Sequence, residues 1–119
     1  MLPKAHGFSP DERVRHKAEF DRVFRQGRRA RGPFLAVCCA ANGLPHSRLG
    51  IALSRGWKGA VPRNRAKRLI REAFRLHKHE WPRGVDVVVV PVTNWRAPSV
   101  AEIAGELARL LGGVAEGPP

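Results

Sequence analysis

Three kinds of residue pattern are nearly missing from this sequence. Cysteine occurs only at Cys38 and Cys39 in 119 residues. Neighbouring side chains of an extended segment point to opposite faces, so the two thiols do not reach one another, and no third cysteine offers a partner. Without more cysteines or a histidine cluster they also make a poor zinc site. They read as small buried hydrophobes in a reducing cytoplasm. Carboxylates are scarce too, ten against 22 lysines and arginines, for a formal net charge of +12. Scattered among cations, they are held ionised rather than tuned as acids. Long apolar runs are the third absence: none approaches the ~20 residues of a membrane span, and the opening MLPKAHGFSP lacks the apolar stretch of a signal peptide.

Catalysis by the chain itself finds no footing. None of Ser9, Ser47, Ser54 and Ser99 sits in a nucleophile elbow. The five histidines show no ligand pattern with carboxylates, and His77 and His79, two apart, diverge on a helix. There is no phosphate-binding glycine loop, dinucleotide fingerprint or zinc framework. The apolar fraction of 43% supports one modest core at this length. The expectation is a single domain over residues 1–119, with a loose arm over 1–12 and a frayed tail over 113–119. A charge so far from zero points to nucleic acid, ahead of an anionic membrane surface.

What the chain does have is concentrated in Ala60 to Trp81. Ala66, Leu69, Ile70, Ala73, Phe74, His77 and Trp81 recur at steps of three and four, one face of a helix. Asn64, Lys67, Arg68, Arg71, Arg75 and Lys78 gather opposite, with Arg65 beside them. Pro62 suits the first turn, and Trp81-Pro82-Arg83-Gly84 ends the helix. Like charges four apart cost a few tenths of a kcal/mol per pair, so the row awaits an anion from outside the chain, and a polyphosphate backbone fits best.

In chain order, a short helix is predicted over 16–26, with Phe20, Val23 and Phe24 on its apolar face and Gly27 as a left-handed cap. Helical spacing of two phenylalanines favours core packing. The surrounding Arg13, Arg15, Lys17, Arg22, Arg25, Arg28, Arg29 and Arg31 also suit a platform on which single-stranded bases stack. Residues 33–41 and 47–54 read as an antiparallel hairpin about the turn Asn42-Gly43-Leu44-Pro45, with Arg28–Arg31 as a short edge strand. Residues 85–92, nearly all valine, predict a strand buried on both faces, with Asp86 in a hydrogen-bonding role at its start. Ser99 and Glu102 have capping-box spacing before a last helix striped by Val100, Ile103, Ala104, Leu107, Ala108 and Leu111, ended by Gly112-Gly113. The class is α+β, in the order α-β-β-β-α-β-α, with helices on a sheet of about four strands.

Arg63-Asn64-Arg65 followed by AKRLIREAFR resembles the RNR signature helix of the bacterial ribonuclease P protein component. EFDRVFRQG (19–27) resembles that family's first helix, RLGIALS (48–54) its R-x-G-x-x-x-S strand, and GVDVV (84–88) its later strand. Four blocks in order and spacing cover roughly Arg13 to Val92. The loop Arg55-Gly56-Trp57-Lys58-Gly59-Ala60-Val61 departs from the family, which carries two adjacent lysines there.

The resemblance implies a left-handed β-α-β crossover, against the usual right-handed form, in the fold typified by the second domain of a small-subunit ribosomal protein. It implies the small partner of a catalytic RNA that removes the 5′ leader of precursor tRNA. Arg63, Asn64, Arg65, Lys67, Arg68, Arg71 and Arg75 would then contact the catalytic RNA. Phe20 and Phe24 would line the leader cleft, with Arg13, Arg15, Lys17 and Arg55 as rim cations. No cofactor is expected on the protein itself, Mg2+ is expected in the assembled ribonucleoprotein, and neither a membrane nor an obligate protein partner is implied. Two other classes compete: a structural, ribosomal-type RNA-binding protein, which has no need of an exposed phenylalanine cleft, and a DNA-binding regulator. A strand, not a helix, precedes the basic helix, which argues against a helix-turn-helix.

Overall fold

The computed structural model describes residues 10–93, 95 and 98–115. Among these, three helices pack on one four-stranded sheet: α1 (Lys17–Gln26), β1 (Arg28–Arg31), β2 (Leu35–Ala41), β3 (Arg48–Ile51), α2 (Ala60–His77), β4 (Val85–Pro91) and α3 (Val100–Ala115). The order of elements and the α+β class are those expected. Residues 1–9 of the predicted arm, 116–119 of the predicted tail, and 94, 96 and 97 of the turn before α3 lie outside the described residues.

The sheet order is β1-β2-β4-β3. The predicted hairpin of β2 with β3 does not form, because β4 lies between them, antiparallel to β2 and parallel to β3. Val87, Val88 and Val89 are wholly buried, and a strand that must cover both faces takes a central place. The turn at Asn42–Pro45 is real, with Gly43 at φ +71°. A turn reverses the chain without obliging its flanking strands to bond one another. Asn42 N–H instead donates to Gly84 C=O, just before β4.

Side chains alternate across the sheet. One face carries Leu35, Val37, Leu49, Val87 and Val89, which pack with Ile70, Ala73 and Phe74 of α2 and with Ile103, Leu107 and Leu111 of α3. Trp81 closes this core edge-to-face against Phe74, with centroids 4.7 Å apart. The Ser99–Glu102 capping box forms in both directions. Two details of α3 differ from the sequence reading. Ala108 is exposed while Leu110 is buried, and the helix runs through Gly112 and Gly113 to Ala115. Glycine weakens a helix interior by about 1 kcal/mol without forbidding it.

Gly27 is not a left-handed cap either; its φ is −81°. It is needed for close approach, since a Cβ there would stand 2.5 Å from Val23 O and 2.7 Å from Cys38 Sγ. Residues 10–12, assigned to the loose arm, form a turn of 3-10 helix. Glu12 pairs with Lys78 at 2.6 Å, which takes that lysine out of the predicted basic row. Val14 N–H donates to Leu49 C=O.

Candidate nucleic-acid interface

Among the described residues, the other face of the sheet is covered by α1, with Val14 beside it over Gly50. Val23 is fully buried there against Cys38, Ala40 and Val88, whereas Phe20 and Phe24 remain half-buried. The rings therefore serve partly as core and partly as surface. Each lines a cleft of its own. Phe20 lines a cleft of about 370 Å³ at the β3 edge with Arg13, Val14, Arg15, Leu49, Ile51, Lys67 and Arg71. Phe24 lines a more apolar one of about 450 Å³ with Arg29, Ala30, Arg31, Ala36, Cys38 and Val90.

Local structure explains both placements. Gly50 faces α1, and a Cβ on it would come within 2.9 Å of both the Phe20 ring and Val14, so glycine lets the ring rest on β3. At the far end Arg29 donates to Phe24 C=O at 2.8 Å, and its guanidinium stands 5.7 Å from the ring centroid, within cation–π range.

Helix α2 divides its cations between two sides. Lys67 and Arg71, one turn apart, reach the Phe20 cleft. Asn64, Arg68, Arg71, Glu72 and Arg75 line a separate groove of about 470 Å³, so Arg71 belongs to both. Arg75 folds back on Glu72, whose carboxyl this contact holds below the usual range. Arg63 donates to Trp57 C=O at 3.0 Å, and Trp57 is buried with its indole N–H on Pro91 C=O. That anchored loop and Gly59, at φ +86°, aim the start of α2. Arg65 is exposed. Lys17 pairs with Asp21 on the solvent side of α1, and Arg55 is exposed in the turn after β3; neither lines a cleft described above.

Beside these clefts lies a charge cluster that the sequence reading only touched. Asp86 is wholly buried and accepts from Arg48 Nε at 2.8 Å and Nη2 at 2.6 Å, from Arg22 Nη2 at 2.5 Å and from Asn42 Nδ2 at 2.9 Å. Burial pushes its pKa up, but the hydrogen bonds of Arg48 and Asn42 and the charges of Arg48 and Arg22 outweigh that and hold it below the ordinary value. Arg48 Nη1 also reaches Glu19 of α1 at 2.7 Å. Among the described residues no group of three or more His, Cys, Asp or Glu could hold a metal ion.

The ribonuclease P family model matches residues 8–115. The ribonuclease P protein component of Syntrophobacter fumaroxidans is 43% identical over 105 residues, 87% of this chain and 88% of its own length. That of Desulfotalea psychrophila is 38% identical over 99 residues, 83% and 82% of the two chains. Among solved structures, the RNase P protein from Thermotoga maritima superposes with a TM-score of 0.76 at 33% identity, covering 84% of this chain and 94% of its own. The RNase P protein of Staphylococcus aureus gives 0.75 at 29% identity, covering 88% and 95%. A match that runs from before α1 to the end of α3, in sequence and in backbone alike, means that this chain belongs to the ribonuclease P protein component family.

Proposed function

We propose that the protein is the accessory subunit of a tRNA-maturing endoribonuclease. It binds the catalytic RNA through Arg63, Asn64, Arg65, Arg68 and Arg75 of α2, and it holds the 5′ leader of precursor tRNA across the α1 face. The observation that carries this reading is the pair of half-exposed phenylalanines, each lining a cleft that also carries arginines. Stacked bases and neutralised phosphates are what such a surface accommodates. A structural RNA-binding protein has no need to leave Phe20 and Phe24 partly uncovered. Arg29 and Arg31 join Arg13 and Arg15 as leader contacts, and Lys67 and Arg71 stand where leader and catalytic RNA meet.

Chemistry at the scissile phosphate belongs in this reading to the RNA and its Mg2+. Among the described residues, no cluster of carboxylates is placed to hold a metal ion. Asp86 and Glu19 are tied to arginines, Glu72 to Arg75, and Glu106 to the Phe34 and Leu35 amides. The protein's part is to supply cations, which lowers the magnesium that the RNA requires and makes binding fall steeply with salt. No described helix is long and apolar enough to cross a membrane, and a cytoplasmic setting is part of the proposal.

Cleavage of a precursor tRNA by a bacterial ribonuclease P RNA at limiting magnesium tests it. Native protein is expected to restore cleavage, and Arg68→Glu is expected not to. A native protein that binds RNA without restoring cleavage would return the chain to a purely structural role.

A further inference from the structure

Apolar packing alone does not explain how α1 is held. Of its ten residues only Val23 is fully buried. Charge fastens it further. Arg22 reaches from α1 to Asp86 on β4 and to Ala41 C=O at the end of β2. Glu19 reaches Arg48 on β3, and Arg48 in turn holds Asp86 with two hydrogen bonds. The two anchors, Glu19 and Arg22, stand on either side of Phe20 in the chain.

A buried ion network of this kind is a weak source of net stability, because desolvation offsets most of the attraction. Its strength is geometric. A guanidinium that bonds both oxygens of a carboxylate admits one orientation, and it fixes the first half of α1 where Cys38 Sγ–H and Arg29, which donate to Val23 C=O and Phe24 C=O, hold the second half.

We infer that Asp86, Arg48, Arg22 and Glu19 are positioning residues for leader recognition: they set where α1 lies on the sheet, and so the places of Phe20 and Phe24 in their two clefts. They act through the rings. The inference rests on the reading that this face holds the leader.

Its test exploits a sign. Glu19 is an anion close to a site for a polyanion, so its neutralisation alone should tighten RNA binding. A released α1 should weaken it. Holoenzyme is assembled from bacterial ribonuclease P RNA and native, Glu19→Gln or Asp86→Asn protein, and affinities for precursor tRNA and for leaderless tRNA are compared. In Glu19→Gln the precursor preference is expected to fall about two- to tenfold, the effect of one hydrogen bond, while leaderless affinity and assembly with the RNA hold. Asp86→Asn is expected to lower the preference further; should it fail to fold in a thermal melt, Glu19→Gln decides. A preference that stays or rises in Glu19→Gln overturns the inference alone. A native holoenzyme without any precursor preference removes the leader reading, and this inference with it.

Discussion

The two faces of the sheet are built by different means. On one, α2 and α3 bring Ile70, Phe74, Ile103, Leu107 and Leu111 onto Leu35, Val37, Val87 and Val89, all at or near zero exposure. On the other, α1 buries Val23, leaves Phe20 and Phe24 half-covered, and is tied down by ion pairs. Hydrophobic stabilisation follows the apolar area removed from water. The first face therefore holds the fold together. The second keeps apolar surface uncovered beside arginines, and that remainder is what a ligand can use.

Phe74→Ala should break the contrast most visibly. The ring is fully buried against Trp81, and its loss should cost about 3–5 kcal/mol, a large part of the roughly 5–15 kcal/mol that a domain has. Urea denaturation would measure it. A cost below about 1 kcal/mol would mean that the closed face is not the foundation.

Removing one side of the Asp86 network comes next. Asp86→Asn should cost about 3 kcal/mol near neutral pH, and acid should expose the same interaction. Because the native pKa of Asp86 lies below its ordinary value, the unfolded chain takes up the proton first as pH falls. The contribution is therefore complete above about pH 4 and is lost as pH falls through the lowered native value. Glu19 moves the same way: burial opposes the shift, and hydrogen bonds from the His16 and Arg15 backbone, with the charge and hydrogen bond of Arg48, prevail. Urea midpoints taken from pH 7 down to pH 2 should fall more in the native protein than in Asp86→Asn; parallel falls would deny the network its role.

Gly50→Ala should have a smaller effect on stability and a selective one on binding. The new methyl would press on Phe20 and Val14, and overpacking of this kind costs about 1–3 kcal/mol. A thermal melt should register a modest loss, while affinity for a leader-bearing substrate should fall and affinity for the catalytic RNA should stay. Equal loss of both affinities would show that the two surfaces are not separable.

Much of this was legible in the sequence, for a physical reason that also marks the limit. Helical periodicity and the valine run at 85–92 are local signals, and α2, α3 and β4 formed close to where they were predicted. Strand order is not local. The turn at Asn42–Pro45 reported that the chain reverses, but the partner that separates β2 from β3 comes some 40 residues later. A hydrogen-bonding role for Asp86 could be read from its place at a strand start. Its partners Arg48 and Arg22, 38 and 64 residues away, could not. The same holds for Phe20 and Phe24. Their spacing put them on one helix face, and only the sheet beneath assigned each ring its own cleft and gave Lys67 and Arg71 to the first.

The most direct test of the open face is the double variant Phe20→Ala/Phe24→Ala, assembled with a bacterial ribonuclease P RNA. The quantity to measure is the affinity ratio for precursor over leaderless tRNA, beside the melting temperature of the free protein. Stacking contributes about 1–3 kcal/mol per base, so the ratio should drop by tenfold or more, while the melting temperature shifts far less than in Phe74→Ala. A ratio that survives both truncations, or one lost only because the protein unfolds, would contradict the account.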